Sequence, residues 1–365
     1  MEMALPTFRE KEYVETLLKA IRKRSDASWS IMEICGGQTH AIARYRLEEL
    51  LPANIRLIHG PGCPVCVTSE STVKEAIEIA CMPNVIFTTF GDMLRVPGGG
   101  NSLMSVRAAG ADVRMVYSPL DAVRLAAENP DREVVFFGIG FETTAPVHAL
   151  AIQEASRLQL RNFSVLSSLV LVPPAIRELM KDPENQIQAL LAAGHVCAVT
   201  GYHDYHQLAL NNHLPVSITG FEPADILWGI YNCIDQLEKK EYSVRNAYSR
   251  MVKEEGNVRA TSLMSRVFET CDREWRGLGV IPESGLRIRK DYELYDTSLR
   301  FKINLKESQE NKECRSGEVL KGKITPFACP AFGTSCTPDH PLGAAMVSSE
   351  GACAAYFKYN PIIRK

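Results

Sequence analysis

The sequence predicts an α/β protein, with two Rossmann-like parallel-sheet α/β domains and a third, mainly helical and loop-rich lobe. Three observations predict it. Between residues 30 and 230, short β-branched or apolar runs alternate with longer amphipathic stretches, the pattern of parallel strands covered by helices. At 365 residues the chain exceeds the length over which one hydrophobic core usually keeps growing. Beyond residue 230 the alternation gives way to a charge-rich helical stretch and then to Pro- and Gly-containing loops with four cysteines.

The first element is a helix in TFREKEYVETLLKAIRKR, where apolar residues recur at helical spacing. Strands are expected at Ser30 to Ile34, Ile55 to His59, Val85 to Thr89, Val113 to Tyr117, Val134 to Phe137, Ser164 to Val172, Val196 to Thr200 and Val216 to Thr219. Helical patterns fill the gaps, as in Ser69 to Ala80, Pro119 to Glu128 and Ala145 to Arg157. These strands suit two four-stranded units, with the turn Asn129-Pro130-Asp131 as a boundary. The expected division is residues 28–130, residues 131–230, and a lobe formed by residues 1–27 together with 231–365. GFETTAP and GFEPADI both follow apolar runs, an echo that local turn chemistry explains.

Composition narrows the function. Lys and Arg total 41 against 43 Asp and Glu, so no positive excess draws the chain to nucleic acid or to anionic lipid. No stretch approaches the roughly 20 apolar residues of a bilayer span, and the amino terminus lacks a signal-peptide core, so a cytoplasmic protein is expected. In that reducing compartment, eleven cysteines point to thiol chemistry or metal ligation before structural disulfides.

Cys35, in ICGGQTHAI, and Cys63 and Cys66, in HGPGCPVCVT, each follow a predicted strand. In open α/β sheets the crevice at the carboxyl ends of strands is where ligands bind. Cys63 and Cys66, two residues apart at the start of a helix, can close a small disulfide or share a metal, and nearby helix N–H groups lower a thiol pKa. Half of a zinc site is the alternative. Cys35 is followed by two glycines and then Gln38, Thr39 and His40, and His40 offers a base or a metal nitrogen; a packing cysteine is the plainer use.

In the tail, Cys314, Cys329, Cys336 and Cys353 fall within 40 residues. They can ligate a [4Fe-4S] cluster, bind zinc with His340 replacing one thiolate, or remain free. Glu142, Thr143 and Thr144 suit a helix-capping turn better than a phosphate loop, because the full GxGxxG pattern is absent. His203, Asp204 and His206 suit a metal or a polar surface contact equally. Cys81, Cys197, Cys233 and Cys271 read as ordinary buried thiols.

Taken together and in this order, CGGQTHAI, HGPGCPVC, GFETTAP and the cysteine-bearing tail resemble the HypD family of hydrogenase maturation factors, over nearly the whole chain. The resemblance implies two α/β domains and a cluster-carrying lobe around a central cleft. It implies a part in building the Fe(CN)2CO unit of [NiFe] hydrogenases, in complex with HypC, with HypE delivering cyanide from a thiocyanate. It implies the cleft cysteine at Cys35, the redox pair at Cys63 and Cys66, and the cluster ligands at Cys314, Cys329, Cys336 and Cys353. Iron carrying CN and CO is then expected at Cys35, with Cys63 and Cys66 as further iron ligands in some states. Some members carry His where this chain has Gln38, which leaves His40 as the nearby basic group. A cluster passes one electron at a time and a disulfide takes two, so a cluster beside a dithiol converts one input into the other. A free-standing, cluster-dependent protein disulfide reductase is the competing function.

Overall fold

A computed structural model of the chain describes residues 11–303 and 313–359. The expected lobe residues 1–10, 304–312 and 360–365, with the start of the predicted first helix, lie outside them. The strands, in chain order, are β1 (Trp29–Glu33), β2 (Ile55–His59), β3 (Val85–Thr89), β4 (Val113–Met115), β5 (Glu133–Gly140), β6 (Phe163–Val170), β7 (Ala189–Ala193), β8 (Val216–Thr219), β9 (Val244–Asn246), β10 (Phe268–Trp275) and β11 (Gly279–Ile288). They form two sheets, ordered β2-β1-β7-β8-β9 and β10-β11-β6-β5-β3-β4. The first is wholly parallel; the second is parallel from β6 to β4 and ends in the antiparallel β10–β11 hairpin. The expected pair of parallel-sheet α/β units is therefore present.

The division of the chain between the sheets is not sequential, which corrects the split at residues 130 and 131. β1 pairs with β2 on one side and with β7 on the other, Ile31 lying opposite Ala189, while β3 and β4 join β5 and β6. The turn at Asn129 lies between helix Pro119–Glu128 and β5, inside the second sheet's half. Local alternation announces strand, helix and strand, but it carries no information on which sheet edge a strand joins.

The expected lobe is also smaller than residues 1–27 and 231–365. Helix Lys11–Arg24 buries Leu17, Leu18 and Ile21 with Ile31, Leu191, Ile226 and Ile230 in the first sheet's core. Arg24 Nε bonds Asp235 Oδ1 at 3.0 Å, fastening that helix to helix Pro223–Lys239. β9 extends the first sheet, and β10 and β11 extend the second. What remains, from residue 313 on, is short helices and loops as expected.

One strand lies in a different segment from the one its local pattern predicts. Val196–Thr200 belongs to helix Gly194–Thr200, and the strand is the preceding Ala-Leu-Leu-Ala-Ala of β7, buried at all five positions. Ala and Leu favour helix and Val and Thr favour strand, so propensity pointed the wrong way; burial between two parallel neighbours overrode it. Other boundaries follow cap chemistry. Ser69 accepts the Thr72 N–H at the start of Glu70–Ala80, and Ser118 with Asp121 forms a capping box around Pro119.

A single core holds Met32 and Leu190 of the first sheet with Val170, Trp275 and Ile281 of the second. The two sheets are thus packed together, and the loops after β1, β2, β7 and β8 emerge at one edge. Both GFE segments sit at such ends, after β5 and after β8.

Candidate functional site: three sulfur centres at the strand ends

Cys35 is the N-cap of helix Gly36–Tyr45, immediately beyond β1. Glu33 Oε2 accepts its backbone N–H at 2.9 Å, and Gly62 O accepts the N–H of Gly36 at 2.8 Å. The Cys35 turn and the loop carrying Cys63 are therefore stitched together through the backbone. Cys35 is buried, and its sulfur lies 3.7 Å from Nδ1 of His195, which follows β7 and packs on Phe221. Burial pushes the Cys35 thiol far up, with Glu33 and Glu350 adding to the effect. Burial holds His195 down at about 4, so its imidazole is neutral at pH 7. A protonated thiol beside a neutral imidazole is a pair that a cation can deprotonate and bind.

His40, the imidazole expected here, is engaged elsewhere: Nδ1 meets the Ser349 carbonyl at 3.0 Å and Nε2 the Tyr359 hydroxyl at 3.1 Å. The histidine beside Cys35 is His195, which sequence reasoning missed. Its one signal is that it stands just after an apolar strand, as Cys35 does. Gln38 is fully buried; its Nε2 donates to Thr219 Oγ1 at 2.5 Å and to Ala192 O at 3.4 Å, tying the Cys35 turn to the ends of β7 and β8.

Cys63 and Cys66 form a disulfide with Cα atoms 5.2 Å apart, and neither titrates in this state. Cys63 caps the short helix Pro64–Val67, its sulfur accepting the Cys66 N–H at 3.2 Å. Both sulfurs are buried. Cys66 Sγ reaches the Ala344 carbonyl at 4.0 Å, so the pair leans on the 3-10 turn Ala344–Met346.

Around the same turn, Cys314, Cys329, Cys336 and Cys353 line one small cavity of about 20 Å³ with Gly343, Ala345 and Met346. Burial pushes the Cys336 thiol up, and the Leu342 N–H that its sulfur accepts at 3.4 Å offsets only part of this. His340 does not line this cavity; its N–H closes a turn on Thr337. Among the described residues, no three His, Cys, Asp or Glu side chains are grouped to hold a single metal ion. The four thiols nevertheless share one cavity, and four thiolates are the donor set that a [4Fe-4S] cluster takes.

The remaining candidates are structural. Glu142 Oε1 accepts the Val172 N–H at 2.8 Å and so caps the neighbouring helix Val172–Met180 instead of its own. His206 pairs with Glu254 at 3.3 Å on the surface. Cys197 and Cys233 are buried as expected, but Cys81 is exposed and Cys271 half-buried.

A family model named HypD, described as "Hydrogenase formation hypA family", matches residues 12–360. A hydrogenase maturation factor HypD2 of Bradyrhizobium diazoefficiens is 46% identical over 362 residues, covering 96% of this chain and 95% of its own. A HypD of Rhodobacter capsulatus is 47% identical, with 96% and 97% covered, and one of Escherichia coli is 45% identical, with 96% of each covered. Buried sulfur centres on a two-sheet α/β frame, with relatives of these names, define a hydrogenase maturation factor. Within that class, the chain belongs to the HypD family.

Proposed function

We propose that this factor is the redox-active iron scaffold that, with HypC and HypE, assembles the Fe(CN)2CO unit of [NiFe] hydrogenases. The observation that carries the reading is the turn Ala344–Met346: Cys66 of the pair leans on its Ala344 carbonyl, and its Ala345 and Met346 line the four-cysteine cavity. Cys314, Cys329, Cys336 and Cys353 would hold a [4Fe-4S] cluster, which when bound supplies electrons singly at low potential.

The chain's own residues do the rest. Cys35 takes the iron under assembly, together with a HypC cysteine, giving up its proton to neutral His195. Reduced Cys63 and Cys66 deliver two electrons to the thiocyanate presented by HypE. The dithiol becomes the disulfide, the S–CN bond breaks, the carrier leaves as its thiol and cyanide as HCN, so that electrons and protons balance. Two electrons and two protons then restore the dithiol. Cys63 and Cys66 are also available to iron when reduced. The cytoplasm is the compartment this cycle needs, since its reducing poise keeps the pair cycling. Among the described residues, no helix is long and apolar enough to cross a membrane.

The competing function is a free-standing protein disulfide reductase, which needs neither HypC nor HypE. The test is metal and sulfide analysis of anaerobically purified protein. About four iron and four sulfide per chain are expected, both lost on Cys329→Ala. Zinc without sulfide would overturn the cluster, and rapid reduction of a generic protein disulfide by the isolated chain would favour the reductase.

A further inference from the structure

Two histidines that belong to neither thiol site are each held by a tyrosine of one helix, Ala352–Tyr359, whose second residue is Cys353. The Tyr356 hydroxyl donates to Glu48 and meets His59 Nε2 at 2.5 Å. His59 Nδ1 meets Glu33 Oε1 at 2.6 Å, and Glu33 Oε2 accepts the Cys35 N–H at 2.9 Å. Thr39 also donates to Glu33 Oε1. One turn further on, Tyr359 meets His40 Nε2 at 3.1 Å, while His40 Nδ1 bonds Ser349 O at 3.0 Å.

Donor accounting gives these contacts a direction. Tyr356 has one proton and spends it on Glu48, so His59 must donate at Nε2. Glu33 accepts from Thr39, from Cys35 and from His59 Nδ1, so His59 donates at both nitrogens and bridges two carboxylates as an imidazolium. The Ser349 carbonyl can only accept, so His40 donates from Nδ1 and receives the Tyr359 proton at Nε2. Glu33 is wholly buried, so without His59 it would be an unpaired carboxylate in the core, directly beneath Cys35. The approach to the helix is tight as well. A Cβ on Gly36, the first residue after Cys35, would come within 2.4 Å of Glu350 Cβ.

We propose that helix Ala352–Tyr359 couples the tail cavity to the iron thiol: Tyr356 and Tyr359 are positioning residues that hold the Cys35 turn, and filling the cavity at Cys353 is what holds the helix. The coupling rests on the roles given above to the tail cavity and Cys35. Neither tyrosine touches the iron; each acts through a histidine on a segment flanking Cys35.

The test compares full-length wild type with Tyr356→Phe/Tyr359→Phe, which keeps both rings and removes both hydroxyls. The readout is the iodoacetamide alkylation rate of Cys35, followed on its peptide by mass spectrometry, for protein reconstituted with iron and sulfide and for protein stripped by chelator. In wild type, stripping is expected to raise the rate about fivefold, the scale of one lost buried hydrogen bond. In the variant both forms should react at one rate, faster than that of stripped wild type. A wild-type rate indifferent to loading, or a difference that persists in the variant, overturns the coupling. Should the double variant misfold, Glu48→Ala removes the partly exposed acceptor of Tyr356 and must shrink the difference; an unchanged difference again overturns it. If analysis shows that wild type takes up no iron and sulfide, the cluster reading fails on its own. The metal-free variant must then still alkylate faster than metal-free wild type, and equal rates would show that the tyrosines hold nothing.

Discussion

The sulfur of Cys35 lies 3.7 Å from Nδ1 of His195, although 160 residues separate them in the chain. The contact exists because β1 and β7 are neighbours in the first sheet, so the turns that follow them share one edge. Burial drives the two groups toward neutrality, the thiol's pKa up and the imidazole's down to about 4. In metal-free protein the alkylation rate of Cys35 should therefore climb about tenfold per pH unit between about pH 7 and 9 without levelling. A rate that bends over with its half-maximum near pH 8.5 would show an ordinary thiol. His195→Ala should lower iron retention in the HypC complex and leave the tail absorbance unchanged.

Gly62 permits the close approach of the two cysteine loops. A Cβ there would fall 2.3 Å from Cys35 N and 2.4 Å from Cys35 Cα, and both are backbone atoms that cannot swing aside. Gly62→Ala should cost about 1–3 kcal/mol as overpacking and should impair iron retention by separating Cys35 from the pair. Gly100, with φ +85° and open space around it, provides the contrast. Gly100→Ala should cost only about 1 kcal/mol of backbone strain and leave iron binding intact, as urea titrations with parallel iron assays would report.

Removing a thiol from the tail cavity should separate metal from fold. Cys336→Ala is expected to abolish bound iron and sulfide while far-UV circular dichroism stays near wild type, because each sheet has core clusters of its own. Cys233→Ala, in the first sheet's core, should cost about 1 kcal/mol of packing and leave the metal content unchanged. Collapse of the dichroism in the Cys336 variant would show that the metal holds the sheets together.

His148 gives the protein an acid-sensitive core. It is wholly buried against Phe136 and Phe90, its Nδ1 bonds the Thr144 carbonyl at 2.7 Å, and Nε2 has no hydrogen-bond partner among the described residues. Burial lowers its pKa from 6.5 to about 4. Between those values the unfolded chain binds a proton that the folded chain refuses, so stability falls as pH falls through that window. The loss between about pH 7 and 5 is about 2 kcal/mol. His148→Phe should flatten this limb in denaturant titrations at the two pH values, and an equally steep limb would mean that the imidazole is not the cause. His59 has the opposite sign. Although burial opposes it, its bond to Glu33 raises its pKa overall. Its contribution is therefore full at low pH and fades as pH rises through that raised value.

Most strands were legible because apolar, β-branched runs such as Ile55–His59 and Val85–Thr89 sit between turn and cap residues. β7 was not, since Ala-Leu-Leu-Ala-Ala has the local preference of a helix and becomes a strand only between β1 and β8. The interleaving of the sheets was equally hidden. Register between β1 and β7 is a contact across more than 150 residues, and no local pattern encodes it. At the site, the cysteines were legible from their turns, whereas His195 and the Glu33–His59–Tyr356 chain were not, since a lone His or Tyr has no spacing signature.

By itself, the amino-acid sequence determined that thiols would stand at the ends of parallel strands and that four more would lie in a loop-rich tail, because caps, turns and strand runs are short-range chemistry. Only the tertiary structure decided which of them meet: that Cys35 faces His195, and that the Cys63–Cys66 pair and the tail cavity share one 3-10 turn. The physical reason is that such meetings are set by which strands share a sheet and which helix closes over them, and these are packing choices made between segments distant in the chain.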